Sequence, residues 1–225
     1  MSVPFFLAGT AFRIYEWLRV PRSDMRLCIF SQKKPGTSRW LKLGKDLFIF
    51  PQVLDINRRM WVFIISLHLA GVALFVGHLR LIFEFTPLAN ALGSRGMEQF
   101  AFLTGGAIGI ILVIAILYFL TRRIMSPNKD ISAPEDYFLL TLILLVILTG
   151  NYLRFFGDIP VTAYRQYIDN LFSFNPYIPT VLATSATKWA LGAHVMFANM
   201  LLIYFPLSKL VHFVGSFAAN LVRSE

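Results

Sequence analysis

The stretch Trp61-Val-Phe-Ile-Ile-Ser-Leu-His-Leu-Ala-Gly-Val-Ala-Leu-Phe-Val-Gly-His-Leu-Arg-Leu-Ile-Phe-Glu-Phe85 decides the fold class. Its first Asp, Glu, Lys or Arg after Trp61 is Arg80, so it is long and apolar enough to cross a bilayer, which takes about 20 residues at about 1.5 Å each. Three more blocks share this character: Phe100 to Leu120, Tyr137 to Phe156, and Trp189 to Val211, continuing to about residue 217. A fifth block, Val3 to Leu18, is shorter, and its ~16 residues cover only about 24 Å of a core about 30 Å thick. Arg13 and Glu16 fall in its last turn, where they can snorkel to the interface or pair with each other. We read it as a truncated first crossing. A cleaved signal peptide is the rival, but the segment lacks a basic start, and Ala8-Gly9-Thr10 is a poor cleavage site.

Composition agrees with a membrane protein. Of 225 residues, 56% are hydrophobic and 15% charged, against about 25% charged in soluble domains. That balance excludes a disordered chain and argues against an ordinary soluble globule. The net charge of +9 would suit nucleic acid if it were spread over one face. It is instead confined to certain loops, which points to a cytoplasmic membrane face and to no nucleic-acid partner. Cys28 is the one cysteine, so the chain builds no disulfide framework, Cys-ligated iron–sulfur cluster or covalently attached haem.

The basic residues set the orientation. Ten lie from Arg19 to Arg59, followed on the same side by Arg122, Arg123, Lys129, Lys209 and Arg223. The other side holds only Arg80, Arg95, Arg154, Arg165 and Lys188. The positive-inside rule then puts the first loop, the third loop and the C-terminus in the cytoplasm, and the N-terminus outside. The expectation is an all-α protein of the cytoplasmic (inner) membrane. Residues 1–225 form a single membrane domain with five transmembrane helices, at about 3–18, 61–85, 100–120, 137–156 and 189–217, and a long basic cytoplasmic loop at 19–60. Trp61, Tyr118, Tyr137, Tyr152 and Trp189 sit near block ends, as interfacial rings do. Gly105 and Gly109 form a small-xxx-small face that admits another helix or a flat cofactor. Phe174-Asn-Pro-Tyr-Ile-Pro179 reads as an ordered outer loop, since its prolines break regular pairing.

The four histidines carry the functional signal. A lone histidine on an apolar helix is more often a hydrogen-bonded structural residue than a ligand. All four of this chain, however, fall within or at the edge of membrane blocks, where ionisable groups are costly and usually functional. His68 and His78 are ten residues apart, a rise of about 15 Å; His194 and His212 are eighteen apart, about 27 Å. Eighteen residues make five full turns, so the second pair shares one stripe, while the first pair is offset by about 80°. The two helices run antiparallel, so His68 matches the depth of His212, and His78 that of His194. Two levels with one histidine from each helix suit two stacked b-type haems, because neutral imidazole is a standard iron ligand. Gly71, Gly77, Gly192, Ala193 and Ala198 leave room for a macrocycle. Filling both axial positions suits electron transfer more than oxygen chemistry, and a metal cluster would want several ligands at one depth.

Leu67-His-Leu-Ala-Gly-Val-Ala-Leu-Phe-Val-Gly-His78, Thr104-Gly-Gly-Ala-Ile-Gly109, Arg122-Arg-Ile-Met-Ser-Pro127 and Phe205-Pro-Leu-Ser-Lys-Leu-Val-His212 together resemble the respiratory nitrate reductase gamma subunit family. That family includes the membrane cytochrome b subunits of sulfite-reduction-associated and heterodisulfide-reductase-like complexes. The long loop from Arg19 to Met60, Thr149-Gly-Asn-Tyr-Leu-Arg-Phe-Phe156 and Asn175-Pro176 lean toward that branch. The resemblance implies a five-helix dihaem cytochrome b that exchanges electrons between membrane quinone, such as menaquinone, and a cytoplasmic iron–sulfur subunit. Carried over by position, His78 and His194 ligate the outer haem, and His68 and His212 the inner one. A lysine associated with the family's quinol pocket has no counterpart; Arg95 and Glu98 lie nearby without aligning.

Haem propionates need cationic or amide partners. Arg58, Arg59, Arg122, Arg123 and Lys209 are inner candidates, and Arg80, Arg154 and Lys188 outer ones; topology and lipid headgroups explain each arginine as well. The chain has no nucleophile elbow, phosphate loop or defensible nucleophile–base pair. Asp130, Glu135 and Asp136 read as helix-entry charge. Two other classes compete with the electron-transfer reading: a transporter or channel with a histidine proton relay, and a haem-free membrane anchor. An odd helix count without an inverted repeat argues against most transporter folds.

Overall fold

The computed structural model describes residues 2–19, 44–45, 48–211 and 215. His212, Arg223 and the basic residues from Arg22 to Lys42 lie outside the described residues. Among those described the regular structure is all helical: α1 (Ser2–Arg19), α2 (Pro51–Ile56), α3 (Arg58–His78), α4 (Thr86–Ile124), α5 (Pro134–Phe156), α6 (Val161–Phe172), α7 (Thr180–Thr184) and α8 (Lys188–Tyr204). Four are long and apolar enough to cross a membrane: α3 with the 3₁₀ turn that extends it to Leu81, α4, α5, and α8 extended to Leu207. The 18 residues of α1 include Arg13, Glu16 and Arg19, and it falls outside that set.

Two boundaries differ most from the sequence reading. Helix α4 starts at Thr86 rather than near Phe100, because Pro87 in its first turn favours helix initiation. It is broken at Gly93, whose φ of 68° and ψ of 171° are open to glycine alone at low cost. Helix α8 ends at Tyr204 and does not run unbroken toward residue 217. Pro206 lacks an N–H and crowds the preceding turn, so residues 205–207 tighten into a 3₁₀ turn and Ser208 is extended at ψ 174°. The run of α-turns that leads from His194 is interrupted at Pro206, and His212 lies outside the described residues. The connection from Gly157 to Thr187 also contains α6 and α7, which hydropathy passes over because they are short and mix polar with apolar residues.

The chain divides into two compact units, residues 1–65 with 199–225, and residues 66–198. In the first, α1 packs on the 3₁₀ turn that ends α8. The Phe6 and Phe205 rings meet edge to face at 5.0 Å, and the Arg13 Nε donates to the Pro206 carbonyl at 3.2 Å. A methyl at Gly9 would lie 2.8 Å from Pro206 Cγ. Ser2 hydrogen-bonds Asn199, and the Trp61 indole donates to the Ile49 carbonyl at 2.6 Å.

In the second unit the apolar centre is Ala70 of α3, Leu112 and Ile116 of α4, and Ile147 of α5. Lipid is as apolar as leucine, so close backbone approach rather than hydrophobicity selects the α4–α5 contact. Gly105, Gly106 and Gly109 supply it. A methyl at Gly109 would overlap the Asn151 amide oxygen, one at Gly106 would meet the Phe155 ring at 3.1 Å, and one at Gly105 would meet Arg154 Nε at 3.0 Å. The tight turn joining α4 to α5 is closed by Arg123, paired with buried Asp136 at 2.8 Å. Asp136 also accepts the Ala133 N–H, and the Tyr137 hydroxyl donates to the Arg123 carbonyl at 2.6 Å.

Candidate functional site

His78 ends α3, and His194 lies in the second turn of α8. Their imidazole centroids are 6.4 Å apart, with 19° between the ring planes. An imidazole nitrogen binds a transition metal at about 2 Å, with the ring centre about 1.1 Å beyond, so two rings on opposite sides of one ion stand about 6.3 Å apart. The observed separation fits one metal ion held by both rings.

Hydrogen bonding fixes the tautomers in the same sense. His78 Nδ1 donates to the Leu74 carbonyl at 2.8 Å, one turn back on its own helix. His194 Nδ1 donates to the Val146 carbonyl of α5 at 3.0 Å, with the Thr149 hydroxyl oxygen at 3.2 Å. A carbonyl only accepts, so each ring carries a proton on Nδ1, and in the neutral imidazole the lone pair is then on Nε2. This is the usual outer arrangement of a metal-bound histidine. Gly150 completes the seat of His194, since a methyl there would lie 3.0 Å from the ring's Cε1. Val146, Thr149 and Gly150 escape a sequence search for ligands; Thr149-Gly150 within the quoted motif is the signal available.

A methyl at Gly71, Gly77 or Gly192 would have no neighbour within 4 Å, unlike the crowded faces of Gly105 and Gly109. Helix α4 contributes six buried residues, α3 only Ala70, and α8 none among those described. Among the four long apolar helices, the two bearing the histidines thus have the fewest buried residues. Gly105 and Gly109 face Arg154 and Asn151 of α5, so their smallness serves helix packing.

His68 lies on α3, ten residues before His78, in the second unit. Its expected partner His212 lies outside the described residues, so the second level has no described pair. Among the described residues no three His, Cys, Asp or Glu side chains converge as a metal cluster would require.

The cationic candidates separate. Arg80 pairs with Glu84 at 3.0 Å, and Arg165 of α6 reaches the same carboxylate at 2.9 Å while donating to the Arg80 carbonyl at 2.8 Å. The Arg165 hydrogen bond, with Arg80 adding to it, holds the Glu84 carboxyl below its ordinary range. The Lys188 ammonium lies 5.9 Å over the Trp189 ring. Arg123 is committed to Asp136. Arg58 and Arg59 are exposed at the start of α3, Arg122 is half-buried at the end of α4, and Lys209 follows the Ser208 break.

Two curated proteins are similar along nearly the whole chain. The "Hdr-like menaquinol oxidoreductase cytochrome b-like subunit" of Archaeoglobus fulgidus is 24% identical, over 96% of this chain and 75% of its own length. The protein of the same name from Archaeoglobus profundus is 24% identical, over 93% of this chain and 72% of its own length. Residues 52–224, containing all four histidines, match the family described as "Nitrate reductase gamma subunit", and the chain belongs to that family.

Proposed function

We propose that this chain is the membrane cytochrome b subunit of a quinol-linked respiratory complex. It passes electrons between the quinone pool and a cytoplasmic iron–sulfur partner through two stacked b haems. His78 and His194 hold the outer haem, and His68 and His212 the inner one. The observation that carries this reading is the His78–His194 pair, 6.4 Å apart with each Nδ1 tied to a carbonyl. The printed names of the two Archaeoglobus relatives support the quinol side and favour menaquinol.

Bound haem supplies reversible one-electron chemistry inside the membrane. The chain's own residues prepare the site for it. The Leu74 and Val146 carbonyls hold the imidazoles in one tautomer, Gly77 and Gly192 leave space, and the apolar spans exclude water. An iron held by two imidazoles, those of His78 and His194, would suit electron transfer more than oxygen chemistry. The distribution of basic residues supports one domain of five crossings in the cytoplasmic membrane, with α1 as the short first one, the N-terminus outside and the C-terminus inside. The basic loop from Arg19 to Met60 is the docking surface for the soluble partner. Electron flow inward through these spans is electrogenic, worth about 2.3 kcal/mol per charge per 100 mV.

A reduced-minus-oxidised spectrum of the purified full chain tests this reading. Two low-spin b haems are expected, with His194→Ala and His68→Ala each removing a different one. A colourless wild-type preparation would instead favour a proton-relay transporter or a plain anchor. Loss of the same haem in both variants would overturn the pairing.

A further inference from the structure

We propose that Arg154, seated on Gly105, binds the carboxylate edge of the macrocycle held between His78 and His194; this rests on the haem reading above. Arg154 lies in the last turn of α5, inside a membrane span. It has no hydrogen bond or ion pair among the described residues. An arginine in an apolar span without a counter-charge is costly and marks a missing anion.

The position of the side chain selects which anion. On α5, Arg154 lies four residues beyond Gly150, which touches the His194 ring. Four residues are about 6 Å along the axis and about 40° around it, so Arg154 shares the stripe of the His194 seat, one turn further out. An arginine bound to lipid phosphate extends past its helix end. Arg154 instead lies sideways across α4. Asn151 meets Gly109, Phe155 meets Gly106 and Arg154 Nε meets Gly105, so the guanidinium stays at its own level of the antiparallel pair. The other cations at this end are differently placed: Arg80 and Arg165 share Glu84, Lys188 covers Trp189, and Arg95 is exposed on α4. Arg80 and Tyr164 are the charged or ionisable groups that influence Arg154 electrostatically. Gly105 keeps the guanidinium in place because any side chain there displaces it.

Redox titration of the purified full chain, followed in the haem α-band, tests the assignment alongside haem content by pyridine haemochrome. Arg154→Gln removes a positive charge beside one haem, which favours the oxidised form. Its oxidised-to-reduced ratio at fixed potential is expected to rise about tenfold, equivalent to a 59 mV fall for a one-electron couple. Arg154→Lys keeps most of the wild-type value, Gly105→Ala shifts the same haem in the same direction by less, and Lys188→Gln shifts it least. Full haem content with an unchanged titration in both Arg154→Gln and Gly105→Ala overturns the proposal and assigns Arg154 to a lipid phosphate. A wild-type chain without haem overturns the underlying reading first. If Arg154→Gln does not fold, Gly105→Ala alone decides.

Discussion

Gly150→Ala perturbs His194 without touching Nε2, the nitrogen proposed to bind iron. The added methyl would lie 3.0 Å from Cε1 and 3.4 Å from Nδ1 of the ring. Carbon atoms settle at about 3.5–4.0 Å, so the imidazole must retreat by about 0.5–1 Å. That motion carries Nδ1 away from α5 and stretches its bonds to Val146 and Thr149, now 3.0 and 3.2 Å, toward the limit near 3.5 Å where they cease to count. Loss of such an outer partner typically costs 10–100-fold in metal affinity, about 1.4–2.7 kcal/mol. Helix propensity moves the other way, since alanine improves on glycine by about 1 kcal/mol, so fold stability is not expected to drop with haem affinity. The assay is haem transfer to an excess of an apo-haemoprotein scavenger, followed optically, with thermal unfolding measured in parallel. One haem should leave 10–100-fold faster and the other at the wild-type rate. Wild-type loss of both, with the variant fully folded, would refute the seat described for His194.

Two further outcomes follow from the packing and the ion pairs. Gly109→Val drives a branched side chain into Asn151 and should cost about 1–3 kcal/mol of stability by overpacking, read as a lowered melting temperature in detergent; an unchanged value would contradict the close α4–α5 contact. Glu84, depressed by Arg165 and Arg80, contributes stability above its ordinary value of 4.5 and loses it as the pH falls through its lower folded value. Amide exchange in α6 should therefore rise on acidification below about 4.5 and in Glu84→Gln at neutral pH, with less difference at high salt; equal exchange in both proteins at every pH would remove Glu84 as the clamp.

The apolar spans were legible because a bilayer imposes length and composition on any helix that crosses it, and the histidines because ionisable groups stand out against that background. Window averages of hydropathy do not register a single proline, so the end of α8 at Tyr204, set by Pro206, was missed. The early start of α4 was missed for a related reason: Thr86 to Gly93 is helical but short and set off by the break at Gly93. Helix α6 mixes Tyr164, Arg165, Gln166 and Asp169 with apolar neighbours and leaves no long run to detect. The sequence left open whether Gly105 and Gly109 admit a helix or a flat cofactor. Gly71, Gly77 and Gly192 face open space, whereas Gly105, Gly106 and Gly109 are pressed against α5, a difference that only the neighbouring helix creates.

The site is accordingly a product of three helices, although its ligands come from two. Between Val146 and Phe155, α5 supplies a carbonyl and a hydroxyl to His194, the space for its ring at Gly150, and the contacts of Asn151, Arg154 and Phe155 with three glycines of α4. Most of these contributions come from neutral groups or from the backbone, which charge and hydropathy do not register. They also make the two ligands unequal. His78 is hydrogen-bonded within its own helix, so its ring moves with α3 as one body. His194 is fixed from outside by α5, which is itself locked to α4 through the glycine contacts. A substitution on the α4–α5 seam therefore acts on the His194 side of the pair, and the His78 side adjusts only as α3 adjusts.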